Sequence, residues 1–120
     1  MTDFADTAHA AAARMRALLQ PTPLQHNVYL SQKHGAEIWL KREDLSPVRS
    51  YKLRGAFNAM RKVMARRPDQ SLFVCASAGN HAQGVAFVCR HFGVKGVVFM
   101  PVTTPQQKIQ KTRSFGGEHV

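Results

Sequence analysis

Two kinds of apolar segment alternate along this chain, and that alternation limits what it can fold into. Leu72-Phe73-Val74-Cys75 and Val97-Val98-Phe99-Met100 are unbroken apolar runs of strand length. Between them Ala82, Val85, Ala86, Cys89 and Phe92 recur at helical spacing, and Gly93 closes the segment. Continuous apolar runs suit strands covered on both faces, and strands that alternate with helices form parallel crossover units. The expected class is α/β, a parallel sheet flanked by helices.

The same reasoning extends in both directions. Ala8, Ala11, Ala12, Met15, Leu18 and Leu19 predict an amphipathic helix that runs until Pro21-Thr22-Pro23 stops it. Glu37 to Lys41 alternates polar with apolar and reads as a strand of the sheet, followed by a loop from Arg42 to Arg49. The clearest helix carries Leu53, Ala56, Phe57, Met60, Val63 and Met64 on one face, with Ser50 as its N-cap. Arg66 and Arg67 suit the negative end of that helix, and Pro68 ends it. Lys52 then falls in its first turn, beside the apolar stripe. Thr104-Pro105-Gln106-Gln107 has the N-cap, first-turn proline and capping-box glutamine of a further helix, which Gly116-Gly117 stops. The strands number about three, against the ~5–6 of an ordinary sheet.

Composition removes several function classes. The 120 residues are 44% hydrophobic and 20% charged, the balance of a folded soluble domain rather than a disordered chain. No apolar run approaches the roughly 20 residues of a membrane span. The N-terminus opens on Asp3 and Asp6 and lacks the cationic start of a signal peptide, so a cytoplasmic location is the default. Cys75 and Cys89 form no C-x-x-C pair and have no histidines at metal-ligand spacing, so they read as reduced, buried thiols with no disulfide framework or metal site. The net charge of +10 raises the question of nucleic acid. The basic residues are spread from Arg14 to Arg113 with no interleaved aromatic platform, which weakens that reading.

Two motifs carry chemistry. The run Lys41-Arg42-Glu43-Asp44-Leu45-Ser46-Pro47-Val48-Arg49-Ser50-Tyr51-Lys52-Leu53-Arg54-Gly55-Ala56 resembles the cofactor-lysine motif of the fold-type II pyridoxal 5'-phosphate enzymes, the serine and threonine dehydratase group. The resemblance implies that Lys52 binds the cofactor covalently, with Tyr51 in the aromatic place before it. Elementary electrostatics points the same way: a lysine at a helix N-terminus near Arg49 and Arg54 has its charged form disfavoured, and a neutral amine is what attacks an aldehyde. By position alone Lys52 would read as one more solvated basic residue at a helix end, and the surrounding motif reverses that reading.

The second run, Ser77-Ala78-Gly79-Asn80-His81-Ala82-Gln83-Gly84-Val85-Ala86, resembles the asparagine loop of the same family. It implies that Asn80 hydrogen-bonds the pyridoxal ring oxygen, and that the backbone amides of Ser77, Ala78, Gly79, Asn80 and His81 receive the substrate carboxylate. Free N–H groups at a helix start form an anion site on general grounds. Without the family, the loop would be a well-capped strand-to-helix turn. It is neither a dinucleotide nor a Walker glycine loop.

Met100 to Ile109 and Phe115-Gly116-Gly117 look closer to the biosynthetic threonine dehydratases than to other members, and the resemblance runs from Pro21 to Val120. Residues 1–120 are then expected to be the N-terminal part of a tryptophan-synthase-β-like catalytic domain, truncated before the family's glycine-rich phosphate loop. The implied reaction turns L-threonine into 2-oxobutanoate and ammonia, in a homo-oligomer, dimer or tetramer. Serine dehydratase or racemase chemistry, a non-catalytic fragment and a basic nucleic-acid-binding module stay open as alternatives.

Overall fold

The computed structural model describes residues 3–120. Helix α1 spans Phe4–Met15, and the Asp3 carboxylate caps it by accepting from the Ala5 N–H. The helix ends before the expected stop at Pro21-Thr22-Pro23. The amides of Leu18 and Leu19 both return to the Met15 carbonyl, at 3.0 and 2.8 Å, and this turn carries Leu19 into the core.

Strand β1 (Leu24–His26), helix α2 (Val28–His34) and strand β2 (Trp39–Lys41) follow. β1 and β2 pair antiparallel with Leu24 opposite Lys41 and His26 opposite Trp39. The strand expected at Glu37 to Lys41 therefore exists in shortened form but does not join the parallel sheet. Neither β1 nor α2 was expected, because β1 is three exposed residues with no buried face to impose alternation. The ends of α2 were readable. The Asn27 side chain accepts from the Leu30 N–H, and Gly35 closes the helix with φ 61°.

Helix α3 (Lys52–Arg66), strand β3 (Leu72–Ala76), helix α4 (Asn80–Phe92) and strand β4 (Lys95–Phe99) form the centre of the molecule. β3 and β4 are parallel, in register from Leu72 opposite Lys95 to Ala76 opposite Phe99. The strand-helix-strand unit is as expected, and Gly93 ends α4 with φ 65°. Among the described residues the parallel sheet has two strands rather than about three. Helix α5 (Gln106–Gly116) also packs against α4. Its cap is Pro105, with no side-chain capping bond, and the Thr104 hydroxyl is buried without a partner, so the expected capping box does not form.

The core lies between α3 and α4. Leu53, Ala56, Phe57 and Met60 meet Val85, Val88 and Cys89, joined by Leu19, Val48 and Val94. Phe57 stacks on Phe92 with ring centroids 5.2 Å apart. Burying a leucine such as Leu53 stabilises by roughly 2 kcal/mol. Phe73 and Cys75 turn one face of β3 toward this core. Val74, 58% exposed, and Phe99, 62% exposed, are uncovered among the described residues. No described helix is long and apolar enough to cross a membrane.

Candidate active site

The approach to Lys52 is held on both sides. Val48 is fully buried and pins the loop to the core. The Ser46 hydroxyl accepts from the Ser50 N–H and donates to the Ser50 carbonyl, each at 3.0 Å. Between them Arg49 adopts φ 58°, a left-handed conformation that side chains other than glycine rarely take. Ser50 is thus not the N-cap of α3. Its amide is tied to Ser46, its own hydroxyl is buried without a partner, and Tyr51 occupies the cap position.

Lys52 opens α3 with its side chain exposed, the Nζ lying 4.8 Å from the centre of the Tyr51 ring. The nearby Arg54 is not a free cation. Its Nε and Nη2 donate to the two Glu43 carboxylate oxygens, both at 2.8 Å, and the Thr22 hydroxyl donates to the same carboxylate at 2.6 Å. Arg54 holds the Glu43 carboxyl below the usual carboxylate range, against the opposing effect of burial. This network joins the Pro21-Thr22-Pro23 connector to the first turn of α3. The spacing of Glu43 and Arg54, far from any helical repeat, gave no sign of it.

The second motif forms the turn from β3 into α4. The Ser77 hydroxyl accepts from the N–H groups of Gly79 and Ala82 at 3.2 and 3.3 Å, so it satisfies one amide of the first turn of α4, whose cap position is Gly79. The Ser77 amide donates to the Phe99 carbonyl at 3.0 Å, which ties the turn to the end of β4. The N–H groups of Ala78, Asn80 and His81 have no protein acceptor among the described residues. Asn80 and His81 are exposed, and an open depression of about 400 Å³ lies beside Ser77 and Ala78 at the carboxyl ends of the two parallel strands. In open α/β sheets that is where ligands bind. The arrangement can hold an anion with unpaired amides at the positive end of a 13-residue helix.

The two motifs meet through Gly84. A methyl group built there would lie 3.2 Å from the Lys52 carbonyl carbon and 3.1 Å from the Leu53 nitrogen, so α4 touches the α3 backbone at Lys52 itself. Asn80 is one helical turn, about 6 Å, away along α4. The backbone of Lys52 and the helix start that carries the free amides are therefore linked through one turn of α4. The Gly84 contact has no signature in spacing, since a small residue in a helix is equally compatible with exposure.

A family model described as "Pyridoxal-phosphate dependent enzyme" matches residues 15–120. The chain belongs to this family. It is 50% identical over 110 residues to a Staphylococcus epidermidis protein named L-threonine dehydratase biosynthetic IlvA, covering 92% of this chain and 26% of that protein. The chain thus spans about a quarter of the length of such relatives. Among solved structures it is similar to threonine deaminase isoform 2 of Solanum lycopersicum, with TM-score 0.78, 36% identity, and coverage of 99% of this chain and 34% of that one. It is also similar to a pyridoxal 5'-phosphate-dependent aspartate racemase, with TM-score 0.87, 30% identity, and coverage of 100% and 39%.

The site fits the family's cofactor. An exposed primary amine can take the aldehyde carbon, and open space at Gly79, where an added Cβ meets nothing within 4 Å, leaves the amides of the turn accessible. The two thiols stand apart from this chemistry. Cys89 is buried, with its thiol pushed up to about 11 by burial, and Cys75 is raised for the same reason. Among the described residues no cluster of His, Cys, Asp or Glu could hold a metal.

Proposed function

We propose that this chain supplies the cofactor lysine and the carboxylate-binding turn of a threonine ammonia-lyase, which converts L-threonine to 2-oxobutanoate and ammonia. One observation supports the reading: α4 packs at Gly84 against the backbone of the exposed Lys52, and one turn earlier its start presents Ala78, Asn80 and His81 amides with no protein acceptor among the described residues. The relatives named for threonine support the substrate. A cytoplasmic homo-oligomer, dimer or tetramer, is part of the same proposal.

Pyridoxal phosphate, when bound, supplies an electron sink for the bond that must break at the substrate Cα. The remaining tasks fall to the chain. Lys52 Nζ would hold the cofactor's aldehyde carbon and, once the amine of threonine has displaced it there, would take the Cα proton. The Asn80 side-chain amide has no protein partner among the described residues and would donate to the ring oxygen of the bound cofactor. The free N–H groups of Ala78, Asn80 and His81 hold the substrate carboxylate, which orients the Cα proton toward Lys52. Ser77 and Gly79 set the turn that presents those amides, and Tyr51 flanks the amine.

The test is covalent. The protein is incubated with pyridoxal phosphate, reduced with borohydride and digested, and the modified peptide is sequenced. The reading expects label on Lys52 alone, with threonine turned into a keto acid by the complete enzyme that contains this chain. Label on another lysine, or undiminished threonine breakdown in a Lys52→Ala enzyme, refutes it. Conversion of an amino acid into its mirror image without ammonia release would instead assign the site to a racemase.

A further inference from the structure

We propose that Gly84 is a positioning residue whose missing side chain sets the distance between the Lys52 amine and the free amides of the Ala78–His81 turn. The importance of that distance rests on the function proposed above. The contact itself does not. A Cβ at Gly84 would meet the Leu53 nitrogen at 3.1 Å, the Lys52 carbonyl carbon at 3.2 Å and the Leu53 Cα at 3.3 Å. All three are backbone atoms, so no rotamer change relieves them. The neighbour must retreat by a few tenths of an ångström.

Where that retreat goes is decided by what surrounds it. Leu53 is 0% exposed and fixed in the core, and the loop upstream is held by Val48 and by the paired Ser46 and Ser50 bonds. On α4, Ala82, Gln83, Val85 and Ala86 are all buried around Gly84, so the helix has little freedom to slide. The strain therefore falls on the start of α3, where Lys52 begins its reach. A glycine inside a helix is otherwise unfavourable by about 1 kcal/mol relative to alanine. Gly55 in α3 provides the contrast, since an added methyl there meets nothing within 4 Å.

Gly84→Ala and Gly55→Ala separate placement from helix propensity. For each, borohydride-fixed pyridoxyl on Lys52 is titrated against pyridoxal phosphate, and the thermal midpoint is recorded. Gly84→Ala should raise the half-saturating concentration about ten-fold, because small displacements of a reacting group carry large penalties. Its midpoint should stay within a few degrees of the parent, since better propensity offsets the contact. Gly55→Ala should leave the half-saturation unchanged. A half-saturation for Gly84→Ala within two-fold of the parent overturns the proposal and leaves the proposed function standing. Loss of the folded state in Gly84→Ala, read by circular dichroism, also overturns it, because the glycine would then serve the core and not the amine. A parent with no label on Lys52 overturns both.

Discussion

Replacing Glu43 by Gln isolates the network that carries the chain into α3. The carboxylate accepts from Arg54 Nε, Arg54 Nη2 and the Thr22 hydroxyl, at 2.8, 2.8 and 2.6 Å. Side-chain exposures of 16% for Glu43 and 29% for Arg54 leave the pair partly shielded from solvent. Glutamine keeps the shape, removes the charge and turns an N–H toward the guanidinium. A hydrogen bond to a charged group contributes about 1.5–3 kcal/mol, and bonds that share one carboxylate are not additive, so the expected loss is about 2 kcal/mol. For a domain of this size that lowers the thermal midpoint by roughly 8 °C. The pH dependence has a definite sign. Because Arg54 lowers the folded-state pKa of Glu43, its stabilisation is fully present above the ordinary glutamate value of about 4.3 and is lost as pH falls through the lower folded value. Thermal unfolding of parent and variant, followed by circular dichroism from neutral to acid pH, should show a gap that closes on acidification. Equal midpoints at neutral pH, or a gap that widens in acid, would refute the reasoning.

Two further outcomes follow from single contacts. Ser77→Ala removes the acceptor for the Gly79 and Ala82 amides and should lower stability by about 1 kcal/mol, measured by urea unfolding. It should also weaken pyridoxyl fixation at Lys52 without abolishing it, since the amides themselves remain. Cys89, with its thiol raised to about 11, should resist a disulfide reagent at pH 8 until the protein unfolds, whereas the partly exposed Cys75 should react first. Peptide mapping after timed quenching reads the order.

The chain's own pattern determined the elements that bury a face. β3, α4 and β4 were legible because Phe73 and Cys75 face the core and Ala82, Val85, Ala86 and Cys89 repeat at helical spacing beneath them. α3 was legible for the same reason, and both motifs were readable because Lys52 and the Ser77 to His81 turn are contiguous segments. Elements with nothing to bury were not legible: β1 is exposed throughout, and α2 announced itself only through Asn27 and Gly35. Local cap signals also misled where a neighbour took the group, as when Ser46 claimed the Ser50 amide.

What the tertiary structure alone decided is which distant residues meet. Pairing of Glu43 with Arg54, the antiparallel placement of Trp39–Lys41 against Leu24–His26, and the contact of Gly84 with Lys52 join parts of the chain that no periodicity relates. The physical reason is that periodicity records only whether a residue faces solvent or core. Which atoms it finds there depends on how helices and strands far apart in the chain pack against one another, and in this protein that packing sets α4 at Gly84 against the backbone of Lys52.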